Sequence, residues 1–264
     1  MLLSIITINK NNSTGLKTTI ESVISQSFKD FEYIIIDGNS SDESIEVIKK
    51  YSESINYWIS ESDTGIYNAM NKGIRISKGR YLQFLNSGDH FVNEKVLENI
   101  FRKPVTSDIL YTDCYLSDKV QGIKQMIIPF QLDLLYLIDN SICHGGSFIK
   151  RGLFELVGNF SEDYKIISDT EFFIKAFIRR ISFTKRDFAS IVVESNGISR
   201  YNSRLIIEEK EKMLTRVLGS NYTEVYSHMR NFRNQLFFLT RSRIVRFLLK
   251  HKGNKYINIL IKSF

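Results

Sequence analysis

Up to Val92 the chain swings between two patterns of apolar positions. Short unbroken runs rich in β-branched residues read as buried strands: Leu2 to Ile8, Phe31 to Ile36, Asn56 to Ser60, and a run from Gly79 that contains Tyr81, Phe84 and Leu85. Between these runs the apolar residues recur at helical spacing. Leu16, Ile20, Val23 and Ile24 follow a likeness of an N-cap at Asn12 or Ser13; Ile45 and Ile48 lie in a helix from Glu43 to Tyr51; Ala69, Met70 and Ile74 share one side of Ile66 to Ser77. Such alternation predicts an α/β domain with a mostly parallel central sheet and helices on its faces. Beyond Val92 the pattern loosens. Val96, Leu97, Ile100 and Phe101 predict a helix, Asp108 to Tyr111 a strand, the stretch to Ile128 β structure with turns, and Cys143 to Ile149 a further strand. Ser168-Asp169-Thr170-Glu171 opens a helix that continues through Phe172, Phe173, Ala176 and Phe177. Residues 203–264 read as a helical extension, with Leu236, Phe237, Ile244, Phe247 and Leu248 on one side.

Three successive predicted strands end in a polar turn that carries an aspartate: Asp37, Asp63 and Asp89. Parallel strands put their carboxyl ends on one rim, and that rim is where open α/β sheets bind ligands. Carboxylates gathered there repel one another unless a cation or a hydroxyl-rich ligand shares the space. A hard divalent cation and a diphosphate fit that requirement. The glycine-rich fingerprint of dinucleotide-binding domains and the P-loop are both missing from the sequence, which argues against a Rossmann dehydrogenase and a P-loop NTPase. His144 precedes two glycines that would let a ligand approach closely; it reads either as a site residue or as a hydrogen-bonded structural histidine.

Charge changes the picture at one end only. The net charge is +7, but residues 200–264 hold 14 Lys and Arg against 4 Asp and Glu, so the rest is slightly acidic. A near-neutral body with a basic end suggests an anionic surface near that end and no nucleic-acid partner. Arg241, Arg243, Arg246, Lys250, Lys252 and Lys255 flank the apolar stripe of the extension, the composition of a helix lying on anionic lipid. Cys114 and Cys143 lack metal-binding spacing and read as reduced thiols. No apolar run reaches the length of a membrane span, and Met1 to Ile6 reads as a first strand rather than a signal peptide. A cytoplasmic protein, peripheral on the inner face of the cytoplasmic membrane, is the expectation.

Four segments together resemble one family: Ser4 to Asn9, Ile36 to Asp42, Asp63 to Gly73, and Leu85 to Asp89. They are similar to the inverting family 2 glycosyltransferases of GT-A fold, of the type that builds bacterial surface polysaccharide such as O-antigen or capsule. The resemblance covers residues 1–200, leaving 201–264 as a basic helical C-terminal extension. It implies that Thr7, Asn9, Asp37 and Asp63 hold the uridine half of a UDP-sugar, with Lys72 facing the same crevice and Asn86 and Ser87 completing the nucleotide-sugar site. Asp89 matches the last acid of the family's Asp-x-Asp metal motif, for Mn²⁺ or Mg²⁺, with His144 as a second candidate metal ligand; Ser87 stands where the first acid usually lies. Asp169 matches the catalytic base, with Ser168 in place of the usual Glu and Glu171 as the fallback. Gly197-Ile198-Ser199 resembles a loop that closes over the donor. The implied reaction moves a hexose from a UDP-sugar to a hydroxyl of a lipid-linked or oligosaccharide acceptor, with a β-linkage formed by inversion. A catalytically silent UDP-sugar-binding component of a polysaccharide assembly is the alternative. A sugar nucleotidyltransferase is disfavoured, because Ser4 to Asn12 is not the glycine-rich basic loop such enzymes carry.

Overall fold

The computed structural model describes residues 1–118, 122–194 and 202–241. The first half follows the alternating pattern: β1 (Leu3–Asn9), α1 (Ser13–Ile24), β2 (Phe31–Asp37), α2 (Ser44–Lys50), β3 (Tyr57–Ser60), α3 (Ile66–Ile76) and β4 (Tyr81–Phe84). Then come β5 (His90–Phe91), α4 (Val96–Phe101), β6 (Ile109–Asp118), β7 (Gly122–Met126), α5 (Leu134–Asp139), β8 (Ser147–Lys150) and α6 (Leu153–Leu156). The order closes with α7 (Ser168–Ile178), β9 (Phe183–Glu194), α8 (Ser203–Leu218) and α9 (Tyr222–Arg241).

The strands form one curled sheet in the order β3-β2-β1-β4-β8-β6-β9-β5, with β7 paired to β6. Neighbours from β3 to β4 are parallel, as the intervening helices require. Past β4 the sheet is mixed: β8 runs antiparallel to both β4 and β6, while β9 runs parallel to β6. Side chains alternate between two cores. Leu3, Ile5, Tyr33, Ile35 and Tyr81 face α1, α2 and α4; Ile6, Ile8, Ile34, Ile36, Leu82 and Phe84 face α3, α6 and α7. Helices therefore cover both faces, and the fold class expected from the sequence stands.

The strand at β8 starts later than its apolar run suggests. Cys143 to Gly146 forms an entering loop held by Gly146 N–H donating to Cys143 O and by Ser147 N–H donating to His144 O. Its glycines serve packing rather than a ligand. A Cβ on Gly145 would stand 2.7 Å from Ile191, and one on Gly146 2.8 Å from Thr112 Oγ1. The strand β9 and helix α5 escaped the sequence reading. The predicted continuous C-terminal helix breaks at Gly219, whose φ of +88° lies in the left-handed region that favours glycine. The stripe at Ile244, Phe247 and Leu248 and its flanking Arg243, Arg246, Lys250, Lys252 and Lys255 lie outside the described residues, as do Gly197, Ile198 and Ser199. Leu236, Phe237 and Arg241 fall in α9, but their side chains are also outside them.

Candidate active site

Strand register builds the first part of the site. Asn9, Asp37 and Ser60 are successive partners across β1, β2 and β3, so they stand in a row at the rim. The Asp37 carboxylate accepts from Asn9 Nδ2 at 2.8 Å, from Ser60 Oγ at 2.6 Å, and from the Ser40 hydroxyl and N–H at 2.6 and 2.9 Å. Burial works to raise its pKa, but these four hydrogen bonds outweigh burial and hold it below the ordinary carboxylate value. Asp37 is thus a buried anion tied into the protein, and Thr7 is buried against the Tyr33 hydroxyl at 3.1 Å. Asn9, Lys10, Asn12 and Asp63 line the open cleft in front of them, and Asp63 Oδ1 accepts from Gly65 N–H at 3.1 Å. Lys72 turns elsewhere, to Glu61 Oε1 at 2.9 Å and Ser62 O at 2.8 Å.

The second part sits at mid-sheet, where β4 and β8 are neighbours. The turn after β4 carries Asn86, Ser87 and Asp89; the loop into β8 carries His144; the first turn of α7 carries Asp169. Asn86 Nδ2 lies 3.2 Å from His144 Nε2, and His144 Nδ1 lies 3.1 Å from Asp169 Oδ2. The Tyr67 hydroxyl of α3 lies 2.5 Å from Ile166 O and 3.2 Å from Asp169 Oδ1, and Thr170 N–H donates to that carboxylate oxygen at 2.8 Å. A continuous chain of polar contacts thus runs from Asn86 to Tyr67. Burial works to lower the His144 pKa, but the Asp169 carboxylate outweighs it and pushes the imidazole up to about 9.

Asp89 is 6% exposed, and its Oδ1 accepts from Glu194 N–H at 3.0 Å. Burial pushes its carboxyl up to about 7, although the His144 charge pulls the other way. A divalent cation fits here. Asp89 is a buried carboxylate short of compensating charge, and Asn86 Oδ1 is buried without a hydrogen-bond partner. Among the described residues no three His, Cys, Asp or Glu side chains gather into a metal cage, so substrate oxygens and water would supply the remaining ligands. His144 already has both ring nitrogens engaged by protein partners.

Asp169 and Glu171 part company. Asp169 lines the cleft. Glu171, two residues on, is 1% exposed, with Lys175 Nζ at 2.8 Å, Arg216 Nε at 3.9 Å and the Tyr164 hydroxyl at 3.4 Å. Supporting residues that sequence reasoning missed include Tyr67 and Glu209. Glu209, buried on α8, accepts from the N–H groups of Lys165 and Ile166 at 2.7 and 3.0 Å and so fixes the approach to α7. No local signal marks Glu209, since its partners are more than 40 residues away.

Asn9, Asp63, Tyr67, Asn86, His144 and Asp169 border one cavity of about 830 Å³, the size of a site for a nucleotide-sized ligand, while Asp37, Asp89 and Glu171 are not among its lining residues. Residues 4–151 match the family described as Glycosyl transferase family 2. A relative from Mycobacterium bovis, the "PGL/p-HBAD biosynthesis glycosyltransferase", is 28% identical over 223 residues, covering 81% of this chain and 84% of the relative. Among solved structures, S. aureus TarS residues 1–349 in complex with UDP-GlcNAc has a TM-score of 0.63 at 19% identity, covering 84% of this chain and 73% of that one. The mannosyltransferase PcManGT of Pyrobaculum calidifontis, in complex with GDP-Man and Mn²⁺, has a TM-score of 0.61 at 15% identity, covering 94% and 78%. The two structural likenesses speak for the fold, and the family match covers more than half of the sequence: this chain belongs to glycosyl transferase family 2.

Proposed function

We propose that this transferase is metal-dependent and inverting, and that it moves a hexose from UDP-Glc, UDP-Gal or an N-acetyl derivative to a sugar hydroxyl of a lipid-linked acceptor in surface polysaccharide or glycolipid synthesis. The observation that carries the reading is the linkage of Asp169 through His144 to Asn86, on the turn that holds Asp89, along one cleft. The donor's uridine would lie toward Asn9 and Asp63, backed by the anchored Asp37. Asp89 and Asn86 Oδ1 would hold Mn²⁺ or Mg²⁺, whose chemistry is to offset the charge that develops on a departing diphosphate. Asp169 accepts the proton of the acceptor hydroxyl as its oxygen attacks the anomeric carbon from the face opposite UDP. Tyr67, Thr170 N–H and His144 hold the carboxylate in place for that step. The relatives' glycolipid names and the UDP-GlcNAc bound to TarS favour these choices of acceptor and donor.

The extension from 201 onward joins this machinery through Glu209 and the buried Met213. Among the described residues no helix is long and apolar enough to cross a membrane. Our reading places the protein on the inner face of the cytoplasmic membrane. Val225, Met229 and Phe232 of α9 are exposed and recur at helical spacing on one side, and the sequence beyond them is basic. A screen of UDP-Glc, UDP-Gal, UDP-GlcNAc and UDP-GalNAc for UDP release, with and without Mn²⁺, tests the donor and metal assignments. Release from none of them, or release indifferent to metal removal, overturns the corresponding part.

A further inference from the structure

The strand order divides the cleft into two unlike halves. Asn86, His144 and Asp169 stand in the middle, because β4 and β8 are the central neighbours. On the side of β1 to β3 the polar residues Asn9, Lys10, Asn12 and Asp63 line it beside Ile8, Ile66 and Met70. On the side of β6 it is a continuous apolar wall of Leu116, Met126, Ile138, Ile142, Ile206 and Met213, drawn from β6, β7, α5 and α8. The charged groups lining the cleft beside this wall are Asp139, Lys210 and Lys165. The Asp139 carboxylate receives a hydrogen bond from Tyr226 and lies 4.0 Å from Lys210 Nζ. The wall offers little to a chain of sugars. Asn140 and Ser141 are the polar positions between Asp139 and Ile142, and the buried Ser141 hydroxyl has no hydrogen-bond partner. Those two could meet the hydroxyls of one ring, and an extended oligosaccharide would leave the rest of its hydroxyls against hydrocarbon.

We infer that this half takes the apolar aglycone, alkyl or aryl, of an amphipathic acceptor, attached no more than about one sugar from the reacting hydroxyl. The inference rests on Asp169 being the base, as proposed above, since that choice makes the β6 side the acceptor side. It also places the reaction early: the acceptor must come from a step that puts a first sugar, or a bare hydroxyl, on an apolar carrier. Steps that lengthen the glycan far from that carrier belong to other enzymes.

The test compares n-octyl and methyl β-glycosides of glucose, galactose and N-acetylglucosamine, below micelle concentrations, on the full chain saturated with UDP. Saturation-transfer NMR reads which ligand protons touch the protein, and transfer from the UDP-sugars is measured in parallel. The expected result is strong saturation of the octyl chain and about tenfold or greater kcat/KM for octyl over methyl acceptors. Ile206→Gln and Leu116→Gln, each polar at one point of the wall, should each weaken octyl saturation several-fold. Equal behaviour of octyl and methyl glycosides overturns the inference, and so does octyl saturation that neither substitution changes, since that is detergent bound elsewhere. If no sugar of the panel is turned over, the saturation arm still decides. A UDP titration distinguishes the two readings: failure to bind UDP undermines the proposed function, whereas normal UDP binding without octyl contact removes only the acceptor inference.

Discussion

Two carboxylates two residues apart on one helix should answer substitution in opposite ways. Asp169→Asn keeps the shape of the side chain. Its amide oxygen can still accept from Thr170 N–H and stand beside the Tyr67 hydroxyl, now at 2.8 and 3.2 Å, while its nitrogen replaces the oxygen that meets His144 Nδ1 at 3.1 Å. The substitution removes the proton acceptor and leaves the packing. Loss of a general base lowers kcat by about 100-fold or more, equivalent to about 2.7 kcal/mol of barrier. UDP affinity and melting temperature should barely move. Glu171→Gln does the reverse. Glu171 is fully buried against Lys175 at 2.8 Å, and Lys175 is itself a quarter exposed, so the loss is less than that of a wholly buried pair. A cost of about 2 kcal/mol, or a fall of about 4–8 °C in melting temperature, is expected, with kcat per folded molecule within about twofold of wild type. The assay is UDP release at saturating donor, corrected for the folded fraction, beside a thermal melt of each variant. A Glu171→Gln protein that melts normally but has lost turnover, beside an active Asp169→Asn, would refute the assignment of the base.

The remaining predictions concern the metal, the donor side and the basic end. Asp89→Ala should abolish nearly all transfer yet leave the fold intact, because burial already makes that charge unfavourable; EDTA should do the same to the wild type, and near-normal turnover in both cases would sink the metal assignment. Asp37→Asn turns an acceptor of four hydrogen bonds into a group that must also donate, so urea unfolding should show a loss of about 3 kcal/mol. Because native Asp37 titrates below its ordinary 3.8, its stabilisation is complete above that pH and fades as pH falls through the lower native value; a variant whose stability deficit persists unchanged to the acid limit would contradict this. The protein should co-sediment with anionic liposomes at low salt, less so as salt rises, and poorly once residues 233–264 are removed; indifference to anionic lipid leaves the basic end as a packing element only.

What the sequence disclosed, and what it hid, follows from range. The strands β1 to β4 were legible because each is a short apolar run closed by turn formers, and the helices between them force parallel pairing. The rim aspartates were visible for the same reason. Their separate conditions were not. Asp37 is anchored by Ser40 and Ser60, which only strand register brings together, and Asp89 is buried because β9 supplies Glu194 N–H more than 100 residues later. The strand β9 itself is half polar, in the pattern of a partly covered strand, and gives little periodic signal. Asp169 and Glu171 looked equivalent as neighbours in a first turn. On the helix they point apart, and Arg216 from α8 claims the second. His144 was ambiguous until both of its ring nitrogens had partners.

The central claim, glycosyl transfer with inversion from a UDP-sugar, has an acceptor-independent test. The protein is incubated with a UDP-α-sugar that it turns over slowly with water, and the anomeric proton of the released sugar is followed by NMR before mutarotation mixes the two forms. The account predicts that the β-anomer forms first, in the wild type and far more slowly in Asp169→Asn. The α-anomer first, or equal rates in the two proteins, would contradict it.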